Sequence, residues 1–207
     1  AFQPDMLQRD MVLLVETLNL DELQRPVMEA LLEDYMVGFN TGVDALKDRM
    51  KTASQEGAKA NPGNGDAILA KVMEPLNSWR SEKRRLLDKF FADVKSQLGP
   101  QQLERWPKFE RALRRERQLP EGELSGESVD LWAVLGRMQL SPTEQEAIRA
   151  TLDTYEAALD EALANRVAKM AELESELGEA MRNMDYDRGG NVQDRIMALR
   201  ILVRGAN

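Results

Sequence analysis

Hydrophobic positions recur along this chain at helical intervals. Ile148, Leu152, Tyr155, Leu159, Leu163, Val167, Met170, Leu173, Leu177, Met181 and Met184 follow one another at a mean spacing of 3.6 residues. That period draws them into one stripe on an α-helix. Met28, Leu32, Tyr35, Phe39, Val43, Leu46 and Met50 make the same stripe earlier in the chain. A third runs through Leu69, Val72, Leu76, Trp79, Leu86, Phe90, Val94 and Leu98, and a short one through Leu103, Trp106, Phe109 and Leu113. The pattern predicts helices over about 66–98, 101–117 and 142–185, besides the one through Met28–Met50. At 1.5 Å per residue the helix over 142–185 would be roughly 65 Å long. Intrinsic propensity does not hold so long a helix in water, so a packed partner of similar length is required. The breaker Asn61-Pro62-Gly63-Asn64-Gly65 folds the first stripe back on the third as an antiparallel hairpin. Asp185-Tyr186-Asp187-Arg188-Gly189-Gly190 is expected to turn a second hairpin.

The chain also resembles itself at an offset of 120. Asp10 falls on Asp130, Leu20 on Leu140, Ala30 on Ala150, Leu32 on Leu152, Tyr35 on Tyr155 and Met50 on Met170, without a gap. Arg80 falls on Arg200 and Arg84 on Arg204. Each copy opens on a short apolar stretch, Met11–Val15 or Leu131–Leu135, followed by a capping box. In Asp21-Glu22-Leu23-Gln24 and Ser141-Pro142-Thr143-Glu144 the first side chain takes a free backbone N–H and the fourth reaches back. Pro142 suits the first helical position, and Pro26 is expected to bend its helix. These features predict an elongated all-α fold, a tandem repeat of long antiparallel helical hairpins. The first unit covers residues 1–120 and the second 121–207, joined at Gln118–Gly126. Asn207 aligns with Leu87 in mid-helix, so the second copy is expected to be cut short by about 30 residues. Its stripe would then be only partly covered within one copy of the chain.

Composition supports helices: 43% of residues are hydrophobic but only 5% aromatic, with 21 Gly and Pro together among 207 residues. There is no Cys and no His, which excludes disulfides, thiolate chemistry, Ser-His-Asp triads and His-based metal sites. An enzyme would have to work with Asp, Glu, Lys, Tyr or Ser alone, and no enzymatic activity or cofactor is expected. No apolar run reaches the roughly 18 residues of a membrane span. The net charge of -8 and pI near 4.9 argue against nucleic acid as the main partner. The opening at Ala1 fits either removal of an initiator Met or a mature end left by signal-peptide cleavage, and export to the periplasm or cell surface is the expectation.

Charge is segregated. Residues 1–79 carry 7 basic and 13 acidic side chains, residues 80–117 carry 12 and 6, and residues 118–207 carry 9 and 17. The basic block contains the candidate interaction patch Arg80, Arg84, Arg85, Arg111, Arg114 and Arg115. Three uses are open to it: pairing with acidic helices of the same molecule, a head-to-tail contact with the acidic half of a neighbouring copy, or binding an anionic polymer. Asp185-x-Asp187-x-Gly189-Gly190-Asn191 resembles the opening of an EF-hand calcium loop, with hard oxygen ligands at Asp185, Asp187 and Asn191. Its twelfth position is Ile196, where a bidentate Glu is needed, so it reads as a Gly-rich turn and no metal is expected. Glu172, Glu174, Glu176 and Glu179 read as a solvated helix face, and Ser125 and Ser128 as turn and cap residues. The Met residues near the stripes, among them Met28, Met36, Met50, Met73, Met138 and Met170, suit core gaps or an adaptable binding groove.

At its capping boxes the chain resembles the Spy/CpxP-type periplasmic helical proteins, which share an L-T-x-x-Q motif at helix starts. Leu20-Asp21-Glu22-Leu23-Gln24 has Asp in place of Thr, and Leu140-Ser141-Pro142-Thr143-Glu144 has Ser and ends in Glu. The likeness covers about 40 residues of each copy, and the spacing of 120 is longer than in that family. It implies an envelope chaperone whose apolar, charge-rimmed surface holds unfolded clients. The chain also resembles exported helical proteins of planctomycete-like bacteria, which brings no function with it. From the residues themselves the expected function is structural: a scaffold acting through coiled-coil-like self-assembly or protein–protein interaction, with copies of itself as partner.

Overall fold

A computed structural model describes residues 2–60, 65–119, 131–183 and 185–201 of the chain. Among these residues every regular element is an α-helix: α1 (Asp10–Leu18), α2 (Gln24–Ala60), α3 (Gly65–Ser96), α4 (Pro100–Gln118), α5 (Leu131–Arg137), α6 (Pro142–Arg182) and α7 (Tyr186–Ile201). The chain divides into two compact units, Ala1–Phe109 and Glu110–Asn207. The division falls inside α4, before the boundary that the sequence repeat draws between residues 120 and 121. Residues 120–126 of the expected link, Ser125 among them, and Ser128 just after it lie outside the described residues, as do the breaker at 61–64, Met184 and the side chains of Leu69 and Met181.

In the first unit α2 and α3 run antiparallel. Tyr35 packs on Phe90 with ring centroids 5.4 Å apart, Phe39 on Trp79 at 5.4 Å, and Gly57 against the backbone of Ile68. Met28, Leu32, Tyr35, Phe39, Val43 and Leu46, the stripe read from the sequence, are all buried. Phe39, Val43, Leu46 and Trp79 form the centre, with Met50, Leu76 and Leu86 packed around them. Close approach there depends on Gly42, since a Cβ at that position would lie 2.1 Å from the Trp79 ring. Phe91 meets Trp106 and Phe109 edge-on at 5.4 and 6.2 Å, which docks the first half of α4 on the end of α3. The N-terminal segment closes the other side: Met6 is fully buried, Asp5 donates its backbone N–H to the Tyr35 hydroxyl (3.0 Å), and Lys83 pairs with Asp5 at 2.8 Å.

Helix starts in this unit are built by side chains. The Asp21 carboxylate accepts the N–H groups of Leu23 (2.9 Å) and Gln24 (2.8 Å), and the Gln24 carbonyl oxygen accepts the Asp21 N–H (3.2 Å). Pro26 falls in the first turn of α2, where its missing N–H leaves no helical bond unmade. At the start of α4 the Gln102 carbonyl oxygen accepts the Gly99 N–H at 2.9 Å. The two glutamines also bond each other reciprocally, Gln24 Nε2 to Gln102 Oε1 at 3.0 Å and Gln102 Nε2 to Gln24 Oε1 at 2.8 Å. Their amides reach further, to the carbonyls of Gln97 and Asn19.

In the second unit α6 is the long element and its stripe is covered in two places. Leu159 and Leu163 are buried with Leu119, and Tyr155 packs beside them. Leu173 is buried with Val192 and Ile196 of α7, with Met170 and Leu177 alongside. Arg188 pairs with Glu179 and Arg195 with Glu176, so α7 runs antiparallel to the end of α6. Between the two clusters Val167 is 42% exposed. The expected turn over Asp185–Gly190 is shorter than read. Helix α7 begins at Tyr186, and Asp185 caps it by accepting the Arg188 N–H on Oδ1 (3.0 Å) and the Gly189 N–H on its backbone oxygen (2.9 Å).

Among the described residues the non-glycine positions with positive φ are Asn19 (52°) and Gln139 (49°), separated by the repeat offset of 120. Each precedes a leucine and a capping box. The second box matches the first: Ser141 Oγ accepts the Glu144 N–H (3.4 Å) and Glu144 Oε2 accepts the Ser141 N–H (2.8 Å).

Two outcomes test this packing. Gly-to-Ala exchange inside a helix ordinarily stabilises by up to about 1 kcal/mol. Gly42→Ala is expected to do the reverse, losing about 1–3 kcal/mol to overpacking against a rigid indole. Gly38→Ala meets only the flexible end of Leu86 at 3.3 Å and should be neutral or stabilising. Urea denaturation of both variants decides the matter. The second outcome concerns pH. The Ser141 hydroxyl, and then its backbone N–H, hold the Glu144 carboxyl below its ordinary value of 4.5. A carboxylate lowered by folding stabilises the folded state above its unfolded pKa and loses that contribution as pH falls through the lowered value. The start of α6 should therefore fray as pH drops below 4.5, by NMR titration of the residues around Glu144. Glu144→Gln, which keeps the box, should remove that dependence.

Candidate functional site

The six arginines read from the sequence as one patch fall into two groups with different surroundings. Arg80, Arg84 and Arg85 are exposed on α3 in the first unit. Arg80 Nη1 donates to Asn77 at 3.3 Å, and Arg84 pairs with Asp88 one turn on at 3.4 Å, both at the surface. Lys89 extends the same basic surface. Its hydrogen bond to Asp93 (2.6 Å) and the charge of that carboxylate hold its ammonium above the ordinary lysine value. Lys95 lies over the Trp106 ring, 4.5 Å from its centroid.

Arg111, Arg114 and Arg115 belong to the second unit and are engaged there. Arg115 Nη1 donates to Glu156 Oε1 at 2.6 Å and Arg111 Nε to Glu156 Oε2 at 3.1 Å. Arg114 pairs with Asp160 at 2.6 Å, and Arg166 donates to the Gln118 carbonyl at 3.3 Å. The geometry follows from spacing. Arg111 and Arg115 are one turn apart on α4, Glu156 and Asp160 one turn apart on α6, so the two rows face each other. Arg115 and Glu156 retain only 7% and 9% of their side-chain exposure. Of the three uses read for the basic block, this half takes the first, pairing within the molecule. The same contact explains why the second unit begins inside α4: the arginines and Leu119, which the sequence assigned to a link, pack on α6.

The calcium-like segment does not form a loop. Asp187 and Asn191 lie within α7 and Asp185 is its cap. Among the described residues no three Asp or Glu side chains gather in a metal-like group. A groove opens between α2 and α3, where Asp48, Thr52 and Glu56 face Lys71, Glu74 and Ser78. It is broad and carries both signs of charge, unlike the enclosed, mostly apolar pockets that hold small ligands. Among the described residues no helix is long and apolar enough to cross a membrane.

What remains is an incompletely covered helix face. Ile148, Leu152 and Tyr155, on the first half of the α6 stripe, are half-buried, whereas Met28, Leu32 and Tyr35 at the corresponding positions of α2 are buried. Met138 and Leu131 near α5 are exposed as well. The Met residues divide in the same way: Met28 is core, Met50 and Met170 pack against core clusters, and Met138 lies on the surface. Sequence reading did not find the Gln24–Gln102 pair. Its signal was present as a second Leu-x-x-x-Gln frame, Leu98-Gly99-Pro100-Gln101-Gln102, matching Leu20–Gln24.

Removal of one partner from a buried ion pair leaves the other charge desolvated, at a cost of about 3–5 kcal/mol. Glu156→Gln is expected to destabilise the second unit by that order, while Asp160→Asn, whose pair is more exposed, should cost about 1 kcal/mol or less. Guanidinium denaturation compares the two, and similar losses would contradict the assignment. No family model matches the chain, and neither the curated proteins nor the solved structures yield a match, so its functional reading rests on this geometry.

Proposed function

We propose that this protein is a non-enzymatic structural or scaffold protein that works through helix-mediated contact with copies of itself, outside the cytoplasm. The observation that carries the reading is the first half of the α6 stripe. Ile148, Leu152 and Tyr155 sit at helical spacing and remain half-buried, at positions whose counterparts in α2, Met28, Leu32 and Tyr35, are buried. Exposed apolar area at regular helical spacing is the feature that a second amphipathic helix covers. Each large aliphatic side chain moved from water to an apolar contact contributes on the order of 1.5–3 kcal/mol.

In this reading the chain is a tandem repeat of hairpin units, elongated. The paired left-handed residues Asn19 and Gln139 and the paired capping boxes at Asp21 and Ser141 support it. A repeat whose copies differ in cover leaves the less covered copy as the natural contact surface.

A second reading, an envelope chaperone of the Spy/CpxP kind, is favoured by one observation. Leu23, inside the first Leu-x-x-x-Gln frame, is 85% exposed, and Val27 one turn later is exposed too. Apolar residues beside a polar clasp make a surface on which an unfolded segment can lie.

Sedimentation of the protein across a concentration series separates the readings. Self-association is expected, and Leu152→Asp should weaken it strongly while leaving the far-UV circular dichroism unchanged. A monomer throughout the series sinks the structural reading. A monomer that suppresses aggregation of an unfolded protein at near-equal molar ratio establishes the second.

A further inference from the structure

The intramolecular contact between α4 and α6 shows what one flank of α6 recognises. Glu156 and Asp160 on that flank receive Arg111, Arg115 and Arg114, which sit three and four residues apart on a facing helix. The same flank continues toward the start of α6. Glu146, Asp153 and Asp160 follow at seven-residue intervals, which on a helix keeps them on one side. Glu146 and Asp153 are exposed, Glu146 in a surface pair with Arg149 at 3.2 Å. The flank therefore carries two exposed carboxylates on the same row that α4 already reads with arginine.

The chain contains a second helix with the matching pattern. Arg80 and Arg84 on α3 are one turn apart, as Arg111 and Arg115 are on α4, and Arg85 stands next to them. All three are exposed, and residues 80–117 as a whole carry a net positive charge against the acidic residues 118–207. We infer that the partner of the α6 flank is α3 of a second copy: Arg80, Arg84 and Arg85 of one molecule against Glu146 and Asp153 of another. The inference rests on the self-association reading above and gives it a direction. The basic surface is on the first unit and the acidic one on the second, so the contact is heterologous. It closes only if two molecules exchange it or a ring forms, and otherwise it propagates. Screening by salt should weaken it, because both surfaces are exposed.

Charge exchange tests this with the full chain. In one variant the cations are reversed (Arg80→Glu, Arg84→Glu, Arg85→Glu); in the other the carboxylates are (Glu146→Lys, Asp153→Lys). Each variant alone is expected to self-associate at least tenfold more weakly than the parent by sedimentation velocity. Mixed, each variant's α3 matches the other's α6, so the two should co-assemble in alternation about as strongly as the parent does with itself. The molecule carrying all five changes restores the match with the signs inverted and should recover association, which a merely unfolded variant would not. Parent-like association of the two single-face variants would overturn the inference while leaving self-association standing. Loss of association without recovery in the five-fold molecule would overturn it too. A parent that is monomeric at every concentration removes both readings together.

Discussion

In each unit a helix of about forty residues carries a single apolar stripe, and no helix of that length keeps its shape in water unless the stripe is covered. The arrangement of the chain follows from how that requirement is met. In the first unit α3 lies along α2, the first half of α4 adds an aromatic cluster, and the N-terminal segment seals the remaining side. Among the described residues of the second unit the cover is discontinuous. Leu119 and the arginines of α4 close the middle of α6, and α7 closes its end. The same sequence pattern thus yields one closed surface and one partly open surface.

The two covers also differ in chemistry. The α2–α3 contact is set by shape: Gly42 admits the Trp79 ring, and dispersion over the indole face supplies the attraction. The α4–α6 contact places a buried carboxylate between two guanidinium groups. Ion pairs withdrawn from water add little net stability relative to apolar packing but penalise every register in which a charge is left alone. The first contact is a source of stability and the second a selector of alignment. That division suits a protein whose proposed role is to meet other helices in a defined orientation.

Much of this was legible in the sequence. Helical periodicity located α2, α3, α4 and α6 to within a few residues, because a stripe of buried side chains has to repeat at the helical period. Both capping boxes form as their residue types require. What escaped was long-range or context-bound. Gly189 and Gly190 suggested a turn, yet the Asp185 cap and the burial of Val192 and Ile196 against Leu173 carry the helix through them. Tertiary packing overrode local propensity. The basic block looked uniform because composition cannot say which arginines find a carboxylate across a helix pair. Gln102 was unremarkable until its distance from Gln24 closed, since its partner lies 78 positions away.

The glutamine pair ties together events that are otherwise independent. Helix ends ordinarily open one at a time, each with its own local free energy. Here the amide that caps the start of α2 and the amide that caps the start of α4 are hydrogen-bonded to each other, each donating to its mate. Opening either end strands polar groups of the other. Amide hydrogens at both helix starts would then exchange with solvent in concert, as one cooperative element drawn from two distant stretches of chain.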